Sequence, residues 1–415
     1  MSKRAARATV LAQAVAGILA VGALPVQAAG FNEAITGGEF SGSFRPRFEF
    51  VDQEGKDEQA KALTLRAAFK YTTAAWKGIQ LRSELEVVGP IGGDTYDSTQ
   101  NGKTKYPLVA DPAGGHFNRL FLFHKGETYE AGYGQDEIIY DNSRWVGNIG
   151  WRQNHQTFNS LKVDGATNGF SYHAAYLFGR YHVADVKGKY NGDAYYNGDR
   201  MDGSFFLNGG YGFDFGKLVA YWYSYKFDSP NGAEVKRTNT YGASLSGNVS
   251  SFIYRAEVAS QSRDEAKSGS DASALYYHLI GGWNFGSGKV LVGYEFLGSD
   301  DGAYAVQADF GTNHKFNGFA DQFLATPSQG LKDLYVTGVF KFSGMKLVAS
   351  YHDFTTDYSN DFSNYGKEID LVLAKKMSKQ VGLLAKYANY MADSNTGNSK
   401  DKDVQKLILQ ATYAF

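Results

Sequence analysis

The sequence predicts an all-β fold: a transmembrane, antiparallel, up-and-down β-barrel of about 18 strands, with short periplasmic turns and long extracellular loops. Three observations carry that expectation. Apolar and polar residues alternate with period two along successive segments, as they do when one face of every strand meets lipid and the other lines an aqueous lumen. The links between these segments alternate between short and long. Composition favours strands and tight turns, with 49 Gly, 29 Tyr and 29 Phe against 7 Pro in 415 residues.

Residues 1–28 read as a secretory signal. Lys3, Arg4 and Arg7 form a positive n-region, 10–21 is apolar, and Val26, Gln27 and Ala28 make a small-residue cleavage site. A short periplasmic segment is expected at 29–38 and the barrel over 39–415. Beyond the signal, charges and glycines interrupt every apolar run before it reaches the about 20 residues a membrane helix needs. The chain has no cysteine, so disulfides do not staple its loops. A formal net charge of −1 offers no basic footprint for nucleic acid.

Taken in order, strands are expected near 40–52, 61–72, 78–88, 116–124, 127–136, 154–164, 168–179, 203–213 and 216–227. Nine more follow near 237–247, 251–261, 273–284, 289–298, 331–341, 346–354, 365–375, 380–390 and 403–415. The last shows the alternation best, with Leu407, Leu409, Ala411, Tyr413 and Phe415 on one face and Lys406, Gln410 and Thr412 on the other. A terminal Phe on such a strand resembles the assembly signal of bacterial outer-membrane barrels. Through Phe415 the barrel-assembly machinery is therefore an expected partner, beside outer-membrane lipid and lipopolysaccharide.

Short links fall at 73–77, 125–126, 164–168, 214–215, 247–250, 285–289, 343–344 and 376–379. Longer ones fall at 89–115, 137–153, 180–202, 299–330 and 391–402. Asn-Gly and Ser-Gly at the short sites are tight-turn chemistry. An even strand count puts both termini in the periplasm. Tyr71, Trp76, Tyr254 and Trp283 fall near the periplasmic strand ends, where an aromatic girdle belongs.

The polar faces carry charge. Arg45, Arg47, Arg66, Lys70, Arg82 and Arg119 cluster on the first four strands among Glu49, Glu84 and Glu86. Glu257, Glu295, Glu368 and Asp370 lie on later strands, with Arg255 and Lys386 interspersed. Two readings stand side by side: a field across a constriction, or cross-strand pairs that neutralise one another. Two outer connections mix aromatics, amides and basic groups. The run 141–158 holds Arg144, Trp145, Trp151, Arg152 and Gln153, and the run 312–327 holds His314, Lys315 and Asp321. Such a blend suits a loop folded into the bore.

The run 141–158, the block 312–335, and Tyr351, His352, Asp353 and Phe354 followed by 365–370 together resemble the alginate-export family of outer-membrane proteins. The resemblance implies a monomeric 18-stranded barrel and, in the founding type, an Arg-rich conduit for an anionic polysaccharide. These blocks are more similar to the porin-like members than to the dedicated exporter.

The expected function is a porin-like channel for hydrophilic, anionic solutes in the outer membrane of a Gram-negative cell, reached by Sec-type export. Two alternatives are an export conduit for an acidic polysaccharide such as alginate, and a surface receptor or adhesin using loops 89–115 and 299–330. No enzyme, cofactor or metal is expected. The helix-borne His-Glu-x-x-His signature, the phosphate loop and the Gly-x-Ser-x-Gly elbow are all absent. His116, His124, His173, His278 and His352 fall on strands, as solvated lumen or rim groups, and Asp300, Asp301, Asp353, Asp357 and Asp361 belong to a solvated outer surface.

Overall fold

Alternation of side chains along each strand closes the chain into a barrel. The computed structural model describes residues 30–184, 199–227, 236–264, 271–359, 362–394 and 397–415. The expected signal at 1–28, most of the 180–202 loop and Asp361 lie outside the described residues. The first half of the wall is β1 (Glu39–Gln53), β2 (Ala60–Thr72), β3 (Ile79–Thr95), β4 (Gly114–Lys125), β5 (Tyr129–Asp136), β6 (Thr157–Thr167), β7 (Phe170–Tyr181), β8 (Asp199–Phe213) and β9 (Gly216–Lys226). The second half is β10 (Arg237–Val249), β11 (Phe252–Arg263), β12 (Ala272–Asn284), β13 (Gly288–Leu297), β16 (Leu331–Phe342), β17 (Met345–Thr355), β18 (Asn364–Lys376), β19 (Val381–Ala392) and β20 (Val404–Ala414). A small ribbon, β14 (Ser299–Asp300) with β15 (Tyr304–Ala305), sits in the long connection between β13 and β16.

All 18 wall strands form one sheet. Each is antiparallel to its sequence neighbour, and β1 pairs with both β2 and β20, so no edge is left open. Closure is what a sheet in a bilayer requires, because an unpaired backbone group there has no water to bond. The 18-strand expectation is met, with most bounds within three residues. β8 starts four residues early, at Asp199, and β3 departs most. It runs on to Thr95, and its pairing with β2 shifts register between Ala62 and Thr64.

The outer face is apolar. Along β20 and just past it, Leu407, Leu409, Tyr413 and Phe415 are exposed, while Lys406 and Ile408 of the alternate set are buried inside. Leu371 and Leu373 on β18 point out while Glu368 and Asp370 point in. Short turns share one end of the barrel with both described termini. There Asn168 and Gly169, at φ 48° and 83°, make the left-handed pair that a two-residue hairpin demands. Trp76 and Trp283 are exposed near the same end, and the Tyr254 hydroxyl donates to the Phe215 carbonyl at 2.7 Å. A six-residue helix, α1 (Phe31–Thr36), precedes β1, and its Phe31 packs edge-on against Trp76 at 5.4 Å. The sequence pattern gave no sign of that helix.

Candidate functional site

The two connections singled out by composition meet inside the barrel. Val146 pairs with Phe310 in a parallel bridge, Gly147 N–H donates to the Phe310 carbonyl at 2.8 Å, and Thr312 N–H donates to Ser143 at 2.9 Å. Gln156 ties the crossing by donating to the carbonyls of Gly147 and Phe310, at 2.8 and 3.0 Å. Loop backbone cannot be buried without such partners. A third connection joins them: the Asp111 carboxylate accepts from Gln153 N–H at 2.9 Å, and Asn154 donates to the Pro112 carbonyl at 3.0 Å. The loop expected to face outward over 89–115 therefore dips into the lumen, where Asp111 is fully buried.

Trp151 is the platform of the crossing. His314 stacks on it with centroids 4.2 Å apart and planes 2° from parallel. Arg47 lies over the ring at 4.2 Å and the Lys386 ammonium at 3.8 Å, with Phe319 3.6 Å from Lys386 on another side. Arg45 and Arg47, both on β1, are held largely by carbonyls and amides. Arg45 donates to Gln153 Oε1 at 2.8 Å, to Gly150 O at 3.0 Å and to Arg152 O, while Arg47 donates to Trp151 O at 2.5 Å and Gln410 Oε1 at 2.7 Å. Arg152 reaches Glu49 at 3.2 Å and Asp321 at 3.3 Å, and Lys406 reaches Asp321 at 2.7 Å. Among the described residues, the only carboxylates within ion-pair distance of these five cations are Glu49, Asp111 and Asp321.

Electrostatics set the protonation of the loop groups. Burial pushes His314 well below its ordinary value; Asp321 opposes this and Lys386 adds to it. A neutral ring donates from Nδ1 to Asp321 at 2.5 Å and accepts at Nε2 from Lys386 at 2.8 Å. Burial alone would raise the Asp321 carboxyl, yet its cationic surroundings hold it well below the usual carboxylate range. Glu137 is likewise held low against burial, by His155 and Arg119.

A second cluster lies toward β11 and β13. Arg144 reaches Glu295 at 2.7 Å and Asn317 at 3.1 Å, and Trp145 donates to Glu257 at 2.9 Å. Arg255 and Tyr221 also bond Glu257, at 2.5 and 2.8 Å. Further round, Glu368 and Asp370 cap the loop backbone by accepting N–H bonds from Ala320 at 2.6 Å and Phe319 at 3.2 Å. Lys315 stays exposed and donates to the Asn142 carbonyl at 2.8 Å.

The third cluster belongs to the wall. Arg66 bridges Glu84 and Glu86 at 3.0 and 2.6 Å, and Lys70 and Arg119 also approach Glu84, at 3.5 and 3.3 Å. Arg82 pairs with Glu130 and Asp136, at 2.9 and 2.8 Å. These are the cross-strand pairs that the sequence allowed as one of its two readings. Glu84, Glu86 and His155 bring one ligand-type atom each within 4.8 Å of one another. Arg66, Lys70 and Arg119 already balance those carboxylates, so the group reads as an ion-pair network. Beside it, a cavity of about 380 Å³ is lined by Arg82, Arg119, Asp136, Glu137, Lys162 and His173.

The expectation of solvated strand histidines fails at three positions. His116, His278 and His352 are buried, because the inward loops cover the wall around them. His352 bonds Asp333 at 2.9 Å and His278 bonds the Tyr335 hydroxyl at 2.9 Å. Sequence reading set Lys406 on the polar face of the last strand without naming it among the pore-lining candidates, and it passed over Lys162, which period-two alternation alone would have placed inside. Asp111, Asn317 and Phe310 carried no such signal.

No family model matches the chain, and no curated protein matches it. Solved structures do. OpdL of Pseudomonas aeruginosa is similar at a TM-score of 0.66 and 12% identity, over 92% of this chain and 99% of that one. OccAB2 of Acinetobacter baumannii is similar at 0.66 and 17%, over 92% and 99%, and Pseudomonas aeruginosa OpdO at 0.66 and 13%, over 93% and 99%. At these identities the likeness is one of fold. It defines the class as a closed, antiparallel 18-stranded barrel of the kind those proteins form, and it does not extend to the alginate-export family.

Proposed function

We propose that the chain is a porin-like channel of the Gram-negative outer membrane, passing hydrophilic, anionic solutes through a bore narrowed by the crossed loops. The observation that carries this reading is the surplus of cations around Trp151: Arg45, Arg47, Arg152, Lys386 and Lys406 against Glu49, Asp111 and Asp321. A narrow bore of low dielectric magnifies fixed charge, so such a surplus favours anions. An arginine fork suits a carboxylate or a phosphate, since it can bind two oxygens at once.

A second reading follows from the alginate-export resemblance, in which the same surplus holds an acidic polysaccharide on its way out. The basic crossing supports it; three loops inside the bore weigh toward small solutes.

The test is ion selectivity in planar bilayers with Arg45→Gln/Arg47→Gln. Arg45 has no carboxylate partner, and Asp111, 3.8 Å from Arg47, keeps Arg152 at 3.6 Å and the Gln153 N–H, so the double variant leaves no acidic group without a cation. The anion-to-cation permeability ratio is expected to fall severalfold while the barrel still inserts. An unchanged ratio removes the anionic reading. Liposome swelling with small organic acids, set against retention of long acidic polymers, separates the two cargoes.

A further inference from the structure

Cations in the middle of the lumen are held by carboxylates, carbonyls, amides or an imidazole, whereas, among the described residues, a group of lysines at the short-turn mouth has no such partner. Among the described residues, Lys125, Lys217, Lys289, Lys341, Lys346 and Lys376 stand near that end on inward-facing positions and form none of the ion pairs of the wall. Three of them converge. Lys341 on β16 lies directly opposite Lys346 on β17, so two like charges face each other across one hydrogen-bonded pair of strands. Lys376 on the adjacent β18 follows one turn of the pleat closer to the rim, paired in register with Gly382 of β19, which in turn is paired with Thr412 of β20.

Like charges directly opposed destabilise a sheet. The strand segments around them carry no acidic side chain: residues 337–348, 372–384 and 410–415 contain five lysines and no Asp or Glu. The same three lysines line a cavity of about 690 Å³ with Ala374, Gly382, Leu384, Gln410 and Thr412. Small residues make the room. A Cβ at Gly382 would meet nothing within 4 Å, and the Thr412 hydroxyl lies 3.3 Å from the Gln410 amide.

We propose that this mouth is a binding site for a phosphate group, held by the ammonium groups of Lys341, Lys346 and Lys376 with the Thr412 hydroxyl beside them. The choice of phosphate follows from donor chemistry. Three compact ammonium groups, each a point charge with rotatable donors, can converge on the several oxygens of one tetrahedral, multiply charged oxyanion, which a planar carboxylate of single charge does not offer. A phosphate monoester or free phosphate carries about −1.5 to −2 at neutral pH, enough to offset the opposed pair, and the singly charged diester of a phospholipid offsets part of it. The inference goes beyond the channel reading and does not depend on conductance.

Two sources supply that chemistry: free phosphate or a phosphorylated solute entering the mouth, and the headgroup of an anionic phospholipid reaching round the rim. The test is binding to the full-length barrel in a phosphate-free neutral detergent. Inorganic phosphate is titrated calorimetrically in one arm, and phosphatidylglycerol retention is read by native mass spectrometry in the other. Saturable uptake of one phosphate, or of one phosphatidylglycerol, is expected, and the responding arm names the source. Lys341→Gln/Lys346→Gln is expected to weaken that binding tenfold or more, while Lys125→Gln leaves it unchanged.

Because the double variant also removes the repulsion, its thermal midpoint without phosphate should equal or exceed that of the original chain, and phosphate should no longer raise it. No binding in either arm overturns the proposal. So does binding that survives the double substitution in a folded barrel.

Discussion

Arginine, lysine and histidine around Trp151 illustrate how a buried cation is tolerated when its partner is not simply one carboxylate. A charge moved out of water costs several kcal/mol unless hydrogen bonds and opposing charge replace its hydration. Arg45 obtains these from two carbonyls and an amide, and Lys386 from an imidazole nitrogen and two aromatic faces. That solution fixes His314 as a neutral acceptor, and a pH dependence follows. With the loop detached, His314 takes up its proton near pH 6.5. Docked, burial holds its value well below that. The docked loop then binds fewer protons than the free one, so docking is fully stable above about pH 6.5 and weakens as pH falls below it. Single-channel records are expected to show more frequent loop fluctuations at pH 5 than at pH 7.5, and His314→Gln should flatten the difference. A profile that is flat in the original chain would contradict the assignment of His314 as the neutral acceptor.

Strands and loops differ in how much of them a sequence discloses. A strand in this wall is specified locally, because lipid and lumen select alternate residues. Leu407, Leu409, Phe44 and Phe48 announce an outer face, and Lys406 and Arg47 an inner one. The aromatic and amide content of 141–158 and 312–327 also marked them as lumen material. Their partners were not legible, since Arg144 meets Asn317 and Glu295 through a three-dimensional crossing with no fixed spacing along the chain. Burial of His116, His278 and His352 escaped notice for the same reason. One glycine in the crossing shows how tightly the loop is fitted. Gly318 has φ 85°, and a Cβ there would lie 2.3 Å from the Glu368 carboxylate. A left-handed conformation costs a side chain about 1–2 kcal/mol before any clash. Gly318→Ala is therefore expected to lift the loop from Glu368 and Asp370, which limited proteolysis would read as faster cleavage within 306–330. The barrel's heat-dependent gel shift should persist, because the wall does not rely on that contact.

At the scale of the whole molecule, fold and orientation rest on one inversion: the apolar residues face out and the charged ones in. A water-soluble double sheet would do the reverse, closing over Leu371, Leu373 and Leu409 and leaving Glu368, Asp370 and Lys386 wet. Here the leucines are the exposed set and the charged residues the buried one. Neighbouring positions on β18 make this a sharp experiment. Leu371 faces outward and Val372 inward, so the same substitution at adjacent sites samples two solvents. Lysine on the lipid face near the bilayer midplane costs roughly 2–4 kcal/mol, whereas a lumen position leaves its ammonium in water. Leu371→Lys is expected to lower stability by about that amount in denaturant titrations from lipid vesicles, while Val372→Lys stays within about 1 kcal/mol of the original chain. In detergent-free aqueous buffer neither variant should yield a soluble monomer, since one lysine does not cover the remaining apolar belt. If Leu371→Lys proved neutral in vesicles, or if it rendered the chain soluble, the outer wall would not be facing lipid. The channel reading and the position of the lysine mouth would then fall with it.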